Sequence, residues 1–125
     1  MKYFSTRDTA RQPASFTDIL LGGLAPDGGL YLPESYPKLD PATLNSWRTL
    51  LAEKGYAALA AEVLKLFIDD IPAQDIEDIA ARAYTSPKFA DPEIVPVTEL
   101  GEGLFIGHLS EGPTAAFKDM AMQLL

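Results

Sequence analysis

Cysteine is absent from this chain, histidine and tryptophan occur once each, and basic residues are few. Ten Lys and Arg stand against eighteen Asp and Glu, a formal charge of −8 over 125 residues. Each shortage closes off a class of function. Without cysteine there is no disulfide framework and no thiol chemistry, a composition that suits the cytoplasm. The single His108 has no second His or Cys to share a metal ion, so no metal site is expected, and the residue is read as packing on a strand. The basic residues are scattered, and nothing in their pattern would neutralise nucleic-acid phosphates. No apolar run approaches the length of a membrane span, and the first residues lack the basic-then-apolar pattern of a secretory signal. There is no internal repeat and no low-complexity segment. The hydrophobic fraction of 47% is enough to build a core. The length leaves room for one ordinary domain, or for one small domain and part of another.

The first ninety residues read as mainly helical with a short strand pair. Lys2 to Arg7 has the pattern of a strand, and so does Leu30 to Leu32 after the turn residues Asp27-Gly28-Gly29. The two are expected to pair across the helix between them. That helix starts at Ser15, with Asp18 three positions on as a variant capping box, and Gly22-Gly23 weakens its end. Asp40-Pro41 supplies an N-cap and a proline in the first turn of the next helix, which runs to Gly55. Tyr56 to Asp69 forms another, with Leu59, Val63, Leu66 and Phe67 in helical register. Pro72 opens a third, whose Ile76, Ile79, Ala80 and Ala83 are expected to face the core. Its acids Asp75, Glu77 and Asp78 form a solvated face that also favours the helix dipole.

Ser86-Pro87 and Asp91-Pro92 mark a linker. Beyond it Val95, Val97 and Leu104 to Leu109 read as strands joined through Gly101-Glu102-Gly103. The fold class expected is therefore α/β, with an α+β front part. Residues 1–92 form a small mainly helical domain, and 93–125 begin an α/β catalytic domain with its first strands and a lysine-bearing helix. Loops at strand ends, here 98–103 and 110–113, are where such domains place their chemistry.

Lys118 lies in the run Glu111-Gly112-Pro113-Thr114-Ala115-Ala116-Phe117-Lys118-Asp119, where a tight Gly-Pro loop enters a helix. Ala116, Phe117, Met120, Ala121, Leu124 and Leu125 fall on one apolar face, and Lys118, Asp119, Met122 and Gln123 lie off it. An ammonium at a helix start meets the positive end of the dipole, and burial against Phe117 would further disfavour its charge. A lysine that sheds its proton can form a Schiff base with a carbonyl or with pyridoxal phosphate. Thr114 is expected to cap the helix, its hydroxyl accepting from a free amide of the first turn, and the same terminus suits an anionic ligand.

The run from Gly112 to Asp119 resembles the cofactor-lysine segment of the threonine synthase family. Two further stretches are similar to the family in the right order: Lys2-Tyr3-Phe4-Ser5-Thr6-Arg7, and Phe16 to Leu24 running into Ala25-Pro26-Asp27-Gly28-Gly29-Leu30-Tyr31-Leu32-Pro33-Glu34. The resemblance implies a fold type II enzyme like the tryptophan synthase β-subunit, with pyridoxal 5′-phosphate held by Lys118. It also implies the conversion of O-phospho-L-homoserine and water to L-threonine and phosphate, with Lys118 shuttling protons. By position, Phe117 and Thr114 would line the cofactor pocket. The family's chains are much longer, and the glycine-rich phosphate loop and the partner of the pyridine nitrogen are not among these residues. The chain is thus expected to be an N-terminal portion, inactive alone. A related pyridoxal-phosphate phospho-lyase and a truncated helical module without activity are the alternatives, and the oligomeric state is not legible.

Overall fold

Short polar side chains set the helix boundaries. Asp40 accepts a 2.7 Å bond from the Thr43 amide, and Pro41 follows it as the first residue of a 14-residue helix. Gly55, at φ 80°, ends that helix and at once begins the next. Ser15 caps the first helix by accepting from the Asp18 amide, and its hydroxyl donates to the Asp18 carboxylate at 2.7 Å. The computed structural model describes residues 1–125 in full. In chain order they form β1 (Tyr3–Ser5), α1 (Phe16–Gly22), β2 (Tyr31–Pro33), α2 (Pro41–Lys54), α3 (Tyr56–Lys65), α4 (Ala73–Ala83), β3 (Val97–Gly101), β4 (Leu104–Gly107) and α5 (Asp119–Met122). No helix is long and apolar enough to cross a membrane.

The expected strand pair forms. β1 and β2 are antiparallel, with Tyr3 opposite Pro33 and Ser5 opposite Tyr31. The turn before β2 is fastened from inside, because the Asp27 carboxylate accepts from Ser5 Oγ at 2.8 Å and from the Gly29 amide at 2.8 Å. A Cβ on Gly29 would lie 2.9 Å from Asp27 Oδ1, so only glycine leaves this knot closed. The Gly29 amide, then the Ser5 hydroxyl, hold the Asp27 carboxyl below the usual carboxylate range.

The core sits between α3 and α4. Ala61, Ile68, Ile76 and Ala80 are its buried centre, with Phe16, Leu64, Phe67, Ile71 and Tyr84 packed around them. The β1–β2 sheet and α1 are tied to this body by polar bonds. Tyr3 donates its hydroxyl to the Phe67 carbonyl at 2.7 Å, the Thr17 amide and hydroxyl donate to Asp70, and the Met1 amine pairs with Asp69. Of the α4 face expected to meet the core, Ile76, Ala80 and Ala83 are buried and Ile79 is half-buried. Glu77, read as solvated, also accepts from Lys65 at 2.5 Å.

Beyond α4 the chain stays close to the body. Phe89 has no exposure, and its ring centroid lies 6.0 Å from that of Tyr84. β3 and β4 form the expected antiparallel hairpin, with Glu102 at φ 51° between two left-handed glycines in the turn. Residues 98–101, however, read from the sequence as loop, belong to β3, and Val95 lies before the strand. Every residue of both strands is exposed. His108 falls just after β4 and bonds Thr98 Oγ1 through Nε2 at 2.7 Å.

Truncating Ile76 to Ala should cost about 2–4 kcal/mol, since it removes buried methylenes from the centre of the cluster. Leu44→Ala, on an exposed helix position, should cost about 0.5 kcal/mol or less. Urea unfolding of the two variants against the parent checks both values.

Candidate functional site

From His108 to Lys118 the chain has no regular secondary structure, and the segment is shaped by a string of turns. The Ala115 amide donates to the Gly112 carbonyl, that of Asp119 to Ala116, and that of Met120 to Phe117. Ala115 adopts φ 52°, a left-handed conformation that non-glycine residues seldom take. Two bonds fasten the segment to the helical body. The Ala90 amide donates to the Glu111 carbonyl at 2.8 Å, and the Tyr84 hydroxyl donates to the Met120 carbonyl at 2.7 Å. Tyr84 is itself held by an edge-on contact with Tyr56, at 5.1 Å between centroids.

The most buried polar residue of the molecule lies here. Asp119 is 1% exposed. Its carboxylate accepts from the Thr114 amide at 2.8 Å and from the Thr114 hydroxyl at 2.9 Å. Burial alone would raise this carboxyl, yet it is held below its ordinary value. The Thr114 amide and hydroxyl, the Ala116 amide and the neighbouring Lys118 charge together outweigh the loss of water.

Two expectations about this segment are corrected. Thr114 does not cap a helix by accepting from a first-turn amide; its hydroxyl donates to Asp119, and α5 starts only at Asp119. A carboxylate has two acceptor oxygens, and those of Asp119 take both Thr114 donors and draw the side chain inward. The apolar stripe from Ala116 to Leu125 is not a buried face either. Met120 and Leu124 are half-buried against the body, but Phe117 is 74% exposed, and Asp119, read as lying off the stripe, is the buried residue. Met120 and Leu124 lie over the helices, whereas no element covers Phe117.

Lys118 is exposed, with its amine in none of the three ion pairs of the chain. It is not buried against Phe117, as the sequence suggested. Its backbone, by contrast, is tightly held, since its carbonyl accepts from the amides of Ala121 at 3.1 Å and Met122 at 2.9 Å. Thr114 thus belongs to the turn from Gly112 to Ala115, and Phe117 and Lys118 to the next, from Ala116 to Asp119, with the lysine amine exposed. An exposed amine outside any ion pair suits a carbonyl-bearing cofactor such as pyridoxal 5′-phosphate, which must be able to reach the nitrogen. Sequence reasoning passed over Asp119 and Gly112. The available signal was an aspartate at the first helical position five residues after a threonine, with glycine two residues before that threonine.

A pH dependence follows. The Asp119 carboxyl is depressed in the folded state, against about 3.9 when unfolded. Its contribution is present above that unfolded value and is lost as pH falls through the folded one. The Thr114 amide resonance should therefore shift with a midpoint below about pH 3.9. In Asp119→Asn that titration should vanish from an NMR acid series.

Comparison with known proteins identifies the family. The family model described as "Threonine synthase N terminus" matches residues 2–84. Threonine synthase of Corynebacterium glutamicum is 70% identical over 125 residues, which are all of this chain and 26% of that protein. The crystal structure of pyridoxal-phosphate-bound threonine synthase from Brucella melitensis superposes with a TM-score of 0.84 at 41% identity, over 99% of this chain and 25% of its own. Threonine synthase from Escherichia coli superposes with a TM-score of 0.76 at 27% identity, over all of this chain and 28% of its own. The chain spans about a quarter of the length of the proteins it matches, and it belongs to the threonine synthase family, of which it represents the N-terminal portion.

Proposed function

We propose that the full-length protein is a threonine synthase that converts O-phospho-L-homoserine and water to L-threonine and phosphate, with pyridoxal 5′-phosphate attached at Lys118 Nζ. The observation that carries this reading is the match to the Corynebacterium protein, which runs through the lysine segment as well as the front of the chain. The name of the Brucella structure supports the cofactor. The accessible, unpaired amine of Lys118 on a fixed backbone is the donor that such a group requires.

When bound, pyridoxal phosphate supplies an electron sink for negative charge developing on substrate carbon. The residues of this chain then have distinct tasks. Lys118 holds the cofactor and, once freed as an amine, moves protons at substrate carbons through Nζ. Phe117 offers an uncovered ring at the residue before that lysine, and Thr114 lies four residues before it; both are assigned to the cofactor's surroundings, Thr114 without direct contact. The boundary between the helical front domain and the cofactor domain is placed near 89–92. The cysteine-free composition suits a reducing cytoplasm. An anionic, phosphorylated substrate needs local positive charge that a chain of net −8 does not cluster, so that charge is assigned to the rest of the protein.

Phosphate release from O-phospho-L-homoserine by the full-length protein tests the reading. Lys118→Ala should lower it by about a thousandfold, the range expected for losing a positioned proton-transfer group. The 125 residues alone should yield no threonine. Turnover by Lys118→Ala at the parental rate would refute the assignment.

A further inference from the structure

Asp119 stands out against everything around it. Phe117 and Lys118, its two predecessors, are exposed, yet the Asp119 side chain has almost no contact with water. Its carboxylate is bonded to Thr114, five residues earlier, by an amide at 2.8 Å and a hydroxyl at 2.9 Å to each oxygen. Gly112 closes the remaining side: a Cβ there would lie 2.6 Å from Asp119 Oδ2 and 2.8 Å from Cγ, so a side chain would displace the carboxylate. Inside the loop so closed, Ala115 is kept at φ 52°. A glycine without room for a Cβ, a left-handed alanine and a dehydrated carboxylate thus fall within eight residues. All of them converge on the residue next to Lys118.

The bonds to the helical body, from Ala90 to Glu111 and from Tyr84 to Met120, lie outside this closed loop. The Thr114–Asp119 bonds are therefore local, and what they fix is the short stretch that carries Lys118. On the other side of the lysine, its own carbonyl is held by the amides of Ala121 and Met122. The Lys118 backbone is thus immobilised from both directions while its side chain is left free. The Thr114 hydroxyl proton is already engaged, and that residue's effect on a cofactor is exerted through the lysine.

We propose that Thr114 and Asp119, seated on Gly112, form a clamp that positions Lys118 Nζ for covalent attachment of pyridoxal phosphate. Both are positioning residues rather than contacts of the cofactor. The proposal rests on the reading of Lys118 given above. A misplacement near 1 Å can cost about a hundredfold in a reaction that depends on alignment, so a clamp at the neighbouring residue has a large lever.

Titration of the apo full-length protein with pyridoxal 5′-phosphate, read by visible absorbance alongside far-UV circular dichroism, tests it. Thr114→Val, Asp119→Asn and Gly112→Ala should keep the parental far-UV spectrum. Each should bind the cofactor about tenfold or more weakly, as expected when a charge-assisted hydrogen bond is lost or displaced, with a shifted absorbance maximum. Thr114→Ser, which keeps the hydroxyl, should restore both affinity and spectrum. Parental affinity and spectrum in Thr114→Val and Asp119→Asn would overturn the clamp while leaving the lysine assignment intact. Loss confined to Thr114→Val would mean direct contact with the cofactor, and would also overturn it. Failure of all three variants to fold would assign the bonds to stability alone. An unmodified protein that shows no absorbance change overturns the lysine reading itself, and is recognised without any variant.

Discussion

A carboxylate taken out of water has to find its hydrogen-bond donors within the protein, and around Lys118 that requirement dictates the path of the chain. Asp119 obtains them chiefly from Thr114, through both its amide and its hydroxyl. The approach is close enough to demand glycine at 112, and it closes a loop in which Ala115 takes a left-handed turn. The helix that follows then starts with its first residue anchored, and the lysine before it projects from a fixed backbone. A flexible side chain on a rigid base suits a residue that must hold a cofactor and later release it.

The same chemistry recurs through the molecule and gives its acidity a structural meaning. Asp40 accepts from the Thr43 amide at the start of α2, Asp27 fastens the turn into β2, and Asp70 accepts from Thr17 to tie α1 to the connection between α3 and α4. All three carboxyls lie below their ordinary range for that reason. The leading causes are the Thr43 amide for Asp40, the Gly29 amide for Asp27 and the Thr17 hydroxyl for Asp70. Part of the surplus of eight negative charges therefore serves as punctuation. Tyrosines do the longer-range joining: Tyr3 links the strand pair to Phe67, and Tyr84 links the helical core to the lysine segment. Sequence to local structure to packing runs through these few polar contacts as much as through the apolar cluster of Ala61, Ile68, Ile76 and Ala80.

Features governed by neighbouring residues were legible in the sequence. The Ser15 and Asp40 caps, the break at Gly55 and the hairpin turn at 101–103 each depend on a few adjacent side chains, and all are present. The β1–β2 pairing, between strands far apart in the chain, was legible from their two strand patterns. The lysine segment was misread in part because two local rules competed there. Helical periodicity placed Asp119 on the outer face, and capping preference gave Thr114 an acceptor's role. A bond between the two residues satisfied both at once and inverted each assignment. Periodicity also marked Phe117 as inward-facing, but burial depends on what packs over a residue, which a local pattern cannot supply. The functional family was legible from three separated motifs, whereas the clamp beside the lysine required coordinates.

The most direct test of the central claim, that this segment presents Lys118 as the cofactor lysine, is borohydride reduction of the pyridoxal-phosphate-loaded full-length protein followed by peptide mass mapping. A single pyridoxyl group on Lys118, and none on the same peptide in Lys118→Ala, is the predicted result. Label spread over several lysines, or concentrated on another one, would contradict it.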